Sequence, residues 1–171
     1  MRLPLQALAL ALGAGVLFGA GVAPTSAQAE GTFTITSMTP DTAVKLAQAA
    51  LKSCRDKGYQ VTVAVVDRGG NVQALIRDRF AGPHTPDTAI GKAWTAVSFR
   101  TNTTDMAANT QSGKPQSGTR HIPGALMLGG GMIVEAGGGI IGGVGVSGAP
   151  GGDLDDACAA DGIDAISGDL M

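Results

Sequence analysis

Few side chains in this sequence can do chemistry beyond solvation, and they stand far apart. The two histidines are His84, between Pro83 and Thr85, and His121, between Arg120 and Ile122. Imidazole ligates metals and changes charge near neutral pH, so both are metal-ligand candidates. The plainer readings are a turn residue for His84 and an exposed loop histidine for His121. Arg120, beside His121, can pair with a carboxylate of a bound ligand. Cys54 and Cys158 are the two cysteines. In an oxidising compartment they can form a disulfide, and closing a loop of about 100 residues stabilises by about 4 to 5 kcal/mol in the chain-entropy model. The alternative is two buried thiols packing as small apolar groups. Neither cysteine has another Cys or His at metal-ligand spacing. Asp67, Arg77 and Asp78 flank one predicted hairpin and suit a polar cluster, a weak iron site or an edge salt bridge. Lys92 reads as part of a solvated helix face, and Trp94 as core or subunit interface.

The stretch from Leu128 to Gly152 holds nearly half of the chain's 27 glycines. Within it, Gly143-Val144-Gly145-Val146-Ser147-Gly148 spells G-x-G-x-x-G, the dinucleotide fingerprint. That fingerprint needs a βαβ unit with a second parallel strand behind it, and the residues after Gly148 are spent on a final helix. No phosphate loop of the G-x-x-x-x-G-K-[ST] type occurs either. The glycines alternate with Ile140, Ile141, Val144 and Val146, β-formers that place the run in a sheet. Glycine inside a strand marks the close approach of another backbone or of a ligand. Gly142, Gly143 and Gly145 would leave a bare strip against which a flat ligand or a neighbouring subunit can lie. Gly148 to Gly152, ahead of Asp153, either offer N–H groups of the last helix to an anion such as a carboxylate or make a tight turn.

Catalytic motifs are missing: there is no G-x-S-x-G elbow, no H-E-x-x-H, and no cysteine near a histidine in sequence. The formal net charge is −2 and no basic cluster stands out, which argues against a nucleic-acid partner.

The elements that must position these residues follow from periodicity. Thr39 caps a helix that starts at Pro40, carries Val44, Ala47, Leu51 and Cys54 on one stripe, and stops at Gly58. The runs 61–67 and 72–78 around Arg68-Gly69-Gly70-Asn71 predict a hairpin. A helix capped by Thr85 follows, burying Ile90, Ala93, Trp94 and Val97, then a shorter one over 104–111. Residues 111–124 form a loop long enough to suspect a function. Three short β runs, 125–128, 132–136 and 139–146, precede a last helix capped by Asp153. The order α-β-β-α-α-β-β-β-α describes an α+β domain with helices packed on an antiparallel sheet.

Residues 1–29 join Arg2, an apolar run from Ala7 to Ala23 and an Ala27-Gln28-Ala29 cleavage pattern. This is the pattern of a secretory signal peptide, with a mature start at Glu30; the rival is an uncleaved N-terminal anchor. The expected organisation is a signal peptide over 1–29, a tail over 30–37 and one domain over 38–167, in a periplasmic or secreted protein.

Three segments carry a likeness to known proteins: VTVAVVDRGGNVQALIRD, AIGKAWTAVSF with the following Thr104 and Met106, and GGGMI…GIIGGVGVSGAPGGDLDDACAADGIDAI. Together they resemble the GlcG/HbpS-type haem-binding family, which also supplies the C-terminal domain of PduO-type proteins. The likeness spans Met38 to Ile166. It implies a profilin-like α+β fold with a five-stranded antiparallel sheet, homo-oligomeric assembly and, for exported members, haem or iron binding. A role in sensing oxidative stress is implied in at least one case, and with it a membrane sensor partner. Against this expectation His121 is the first candidate iron ligand and His84 the second, with Arg120 set to pair a propionate and Gly143 and Gly145 beneath a planar ligand. The alternative is a small-molecule catabolic enzyme using a cleft between the glycine strip and the 111–124 loop. The chain departs from the family at Met132, where members often carry proline.

Overall fold

The computed structural model describes residues 31–170; the predicted signal segment lies outside them. Residues from Ile35 onward form one compact unit. Its elements are α1 (Pro40–Asp56), β1 (Thr62–Asp67), β2 (Val72–Arg77), α2 (Thr85–Phe99), α3 (Thr103–Asn109), β3 (Gly131–Ala136), β4 (Gly139–Ser147) and α4 (Gly152–Ala165), with short 3-10 turns at Ser117–His121 and Ser167–Asp169. The four strands pair antiparallel in the order β2-β1-β4-β3. Helices α1 and α4 cover one face of this sheet and α2 the other.

Thr39 caps α1, accepting a hydrogen bond from the Thr42 amide, and Pro40 opens the helix. The stripe facing the sheet is Ala43, Leu46, Ala47, Ala50, Leu51 and Cys54, while Val44 lies off it and is exposed. In the β1–β2 turn, Asp67 Oδ1 accepts from the amides of Gly69 and Asn71, and Gly70 takes a φ of 82° that favours glycine.

The alternation in β4 has a direct cause in packing. Val144 and Val146 point into the core with Val63, Val65, Leu46 and Ala50. Gly143 and Gly145 face the other way, where α2 lies. A Cβ on Gly145 would collide with the backbone oxygen of Ala89, and one on Gly143 would stand 2.8 Å from Val97 Cγ1 and 3.1 Å from the Ala93 oxygen. A Cβ on Gly142 would strike the Val66 backbone oxygen of β1, so the expected bare strip is filled by the protein's own α2 and β1.

The sheet has four strands, where five were expected. The run 125–128 is not a strand, because its backbone bonds go elsewhere. The Leu126 amide donates to Thr95 Oγ1 of α2, and the amides of Ala125 and Leu128 close local turns onto Ile122 and Leu126. Its apolar side chains serve a crossing over α2, where Leu126 packs at Gly91. Two caps also shift. Gly151, not Asp153, precedes α4. His84 precedes α2, while the Thr85 hydroxyl donates to the Gly82 oxygen.

Cys54 on α1 and Cys158 on α4 are joined by a disulfide, their Cα atoms 5.4 Å apart. Gly162 lets the same two helices approach closely, since a Cβ there would lie 2.8 Å from that of Ala50.

Candidate functional site

Lys92 sits mid-helix on α2 between Ala89, Ala93 and Ala96, all fully buried. Its side chain follows the same face inward and is 1 % exposed. There Nζ donates to Asp155 Oδ2 of α4 at 2.7 Å and to the Val146 oxygen of β4 at 2.8 Å. Asp155 Oδ1 in turn accepts from the Ala149 amide, fixing the β4–α4 turn. Burial pushes the Asp155 carboxyl above the usual carboxylate range, and the Lys92 bond and charge oppose that rise. The solvated helix face expected for Lys92 is thus the reverse of its position.

Glycines build this ion pair. A Cβ on Gly130 would stand 2.7 Å from Asp155 Cβ and 2.8 Å from Lys92 Nζ, and one on Gly131 would strike the Lys92 backbone. Gly129 packs against Gly152, with a Cβ there 3.0 Å from its carbonyl carbon. The Gly130 amide donates to Asp156 Oδ1, and the Thr104 hydroxyl donates to the other oxygen of that carboxylate. The run Gly129-Gly130-Gly131 is the passage through which α2, α4 and the start of β3 converge on a buried charge pair.

A cleft of about 500 Å³ opens above the pair. Lys92 and Asp155 belong to its lining, together with the turn Gly148 to Gly152. His84, Thr85 and Thr88 from the start of α2 and Leu126 and Leu128 from the crossing complete the lining. Such a cleft, mostly small and apolar with a few convergent polar groups, has the volume of a small-molecule site.

The residues singled out in the sequence divide between this cleft and other places. His84 is exposed and lines the cleft; His121 is exposed on the 3-10 turn and is not among the lining residues. Arg120 donates from Nε to the Thr110 oxygen at 2.6 Å and from a terminal nitrogen to the Ala107 oxygen at 2.8 Å, closing the C-terminus of α3. Gly143 and Gly145 lie under α2. Asp67, Arg77 and Asp78 do not cluster: Asp67 serves its turn, Arg77 bonds to the Ala81 oxygen, and Asp78 is gripped by both arms of Arg55 at 2.7 and 3.0 Å. Among the described residues no three His, Cys, Asp or Glu side chains gather as a metal site. Trp94 is half-buried over Gly70 and Gly124. The cleft itself was missed. Two of its parts were singled out separately, the Gly148–Gly152 turn as an anion site or tight turn and His84 as a ligand. The signal that joins them is Lys92 in register with the apolar stripe Ala89-Ala93-Ala96, a cation where a helix turns toward the core.

A model of the family described as haem-degrading protein, HbpS-like, matches residues 38–164. The chain belongs to the HbpS-like family. A solved double mutant of HbpS from Streptomyces reticuli is 40% identical, with 84% of this chain and 97% of that one covered and a TM-score of 0.74. The solved PduOC:heme complex is 28% identical over 77% of this chain and 96% of that one, with a TM-score of 0.72. An uncharacterised 15.0 kDa protein from the dhaT-dhaS intergenic region of Citrobacter freundii is 33% identical over 116 residues, 67% of this chain and 82% of that protein. The HbpS-like match takes in both walls of the cleft, from α2 to α4.

Proposed function

We propose that this protein binds haem, and that it does so as an exported, self-associating member of its family. The observation that carries this reading is the family match over 38–164 together with a relative of the same fold solved as a haem complex. A haem site needs a side chain able to ligate iron, an apolar surface for the ring and partners for the propionates. The cysteines are consumed by their disulfide, and Met38, Met106 and Met127 are buried. His84, at the wall of the cleft, is the ligand that the cleft supports. Leu126, Leu128 and Ala149 offer apolar surface there, and Lys92 with the Gly148–Gly152 turn offers partners for carboxylates. His121 stands second, since the bonds of Arg120 to α3 compete with pairing to a propionate. Bound haem would supply a redox-active, spectroscopically visible iron; the chain's own part is to hold and orient it.

Export is supported by the pattern of residues 1–29 and by a disulfide of the kind that persists in oxidising compartments. Mass spectrometry of protein secreted by an export-competent host should find a chain starting at Glu30. Hemin titrated into the purified protein should give a shifted, saturable Soret band, and light scattering should give a mass above that of one chain. The absence of any Soret shift removes the function. A monomeric mass removes the assembly alone.

A further inference from the structure

We infer that the cleft over Lys92 and Asp155 is a binding site for an organic carboxylate with a small apolar body, whether that carboxylate belongs to a haem propionate or to a separate acid. Three observations converge on it. First, a lysine ammonium has three donors, and the protein fills two, with Val146 and Asp155. The remaining N–H sits on a cation 1 % exposed, lining a cleft of about 500 Å³. Nζ thus keeps two fixed partners and has a third donor to offer an acceptor that enters the cleft.

Second, the 14-residue helix α4 begins in the cleft wall. The amides of Gly152 and Asp153, in its first turn, have no carbonyl one turn back to bond, and they carry the positive end of the helix dipole. The turn ahead of them, Gly148 to Gly152, contains no side chain larger than Ala149 and Pro150, so an anion can approach the backbone.

Third, Leu126, Leu128, Ala149 and Pro150 give the lining apolar surface beside the polar His84, Thr85 and Thr88. Asp153, Asp155 and Asp156 also lie within the first helical turns. Lys92 is already paired with Asp155, so the charge of these carboxylates opposes every anion, and a dianion such as phosphate most. That leaves a single carboxylate, held by hydrogen bonds and apolar contact, as the better match.

The site does not depend on haem binding, and the test separates the two. Amide spectra of the isotope-labelled protein are recorded with benzoate, with its neutral methyl ester and with inorganic phosphate. Benzoate should give saturable shifts confined to residues 148–153 and to α2 around Lys92, with no matching response to the ester and a much weaker one to phosphate. Lys92→Met should weaken binding at least tenfold. Leu128→Trp, which adds bulk to the lining at an exposed position, should do the same in a protein that keeps the Lys92–Asp155 pair intact. Lys52→Met, on the exposed side of α1, should leave affinity unchanged. Hemin and hemin dimethyl ester are then added to the benzoate complex. Displacement by hemin but not by its ester assigns the carboxylate to a propionate, and retention of benzoate assigns it to a separate small acid. Shifts that are absent, scattered over the surface or equal for ester, phosphate and benzoate would overturn the site. A missing Soret response alone would overturn haem binding and leave the carboxylate site standing.

Discussion

A lysine held 1 % exposed has given up the hydration of its ammonium, and in this fold one carboxylate and one carbonyl replace that water. Removing only the cation leaves Asp155 charged and buried, which costs about 3 to 5 kcal/mol. Lys92→Met should therefore lower the unfolding free energy by that amount in denaturant titrations. The double variant Lys92→Met/Asp155→Leu should recover most of it, apart from the Ala149 amide that Asp155 also serves. A double variant no better than the single one would show that the pair is not the source of the loss. Acid behaviour rests on other residues. The bond from Arg55 holds the Asp78 carboxyl below the usual carboxylate range, against the effect of burial. A depressed carboxylate contributes stability at neutral pH that is lost as pH falls below about 4, through its folded value. Asp155 has the opposite sign: its raised carboxyl favours the fold at low pH, a contribution lost as pH rises through that raised value. Asp78→Asn should thus lower stability at pH 7 and flatten its decline between about pH 4 and pH 2. Equal slopes for variant and parent would contradict the assignment.

Elements were legible where side-chain period alone decides them. The hairpin turn at Gly69-Gly70, the Thr39 cap and the β3–β4 pair stand in the sequence much as in the fold. The glycines of β4 were legible as sheet, but not what lies against them, because that depends on a helix some fifty residues earlier in the chain. For the same reason periodicity predicts a fifth strand in the run 125–128, where the fold has none. Its apolar side chains fit a strand, and only the Thr95 hydroxyl beneath it shows where its amide goes. Lys92 was misjudged because its partner lies 63 residues on, in a helix whose sequence gives no sign of the pairing. Two expectations belong at this scale. Gly145→Ala, forced against the Ala89 carbonyl, should destabilise by about 3 kcal/mol or more, whereas Gly138→Ala should act only through its positive φ, since open space surrounds it. Thermal denaturation of both variants checks the contrast. Replacing both cysteines by serine should cost about 2 to 5 kcal/mol by releasing α4 from α1. An unchanged midpoint between reduced and oxidised protein would mean that the helices hold without the bridge.

At the scale of the whole molecule, the fold brings together what the sequence keeps apart. The start of α2, the crossing at 126–128, and the turn into α4 surround one cleft, and the triple glycine at 129–131 lets them close around a single charge pair. Family membership gives that arrangement a ligand to test, and the geometry gives it one histidine. The most direct measurement is a hemin titration of three proteins side by side: the parent, His84→Ala and His121→Ala, each followed by its Soret band. His84→Ala should lose the shifted band or bind hemin at least tenfold more weakly, and His121→Ala should keep both. A His84→Ala protein that binds hemin with the parent's spectrum and affinity would contradict it.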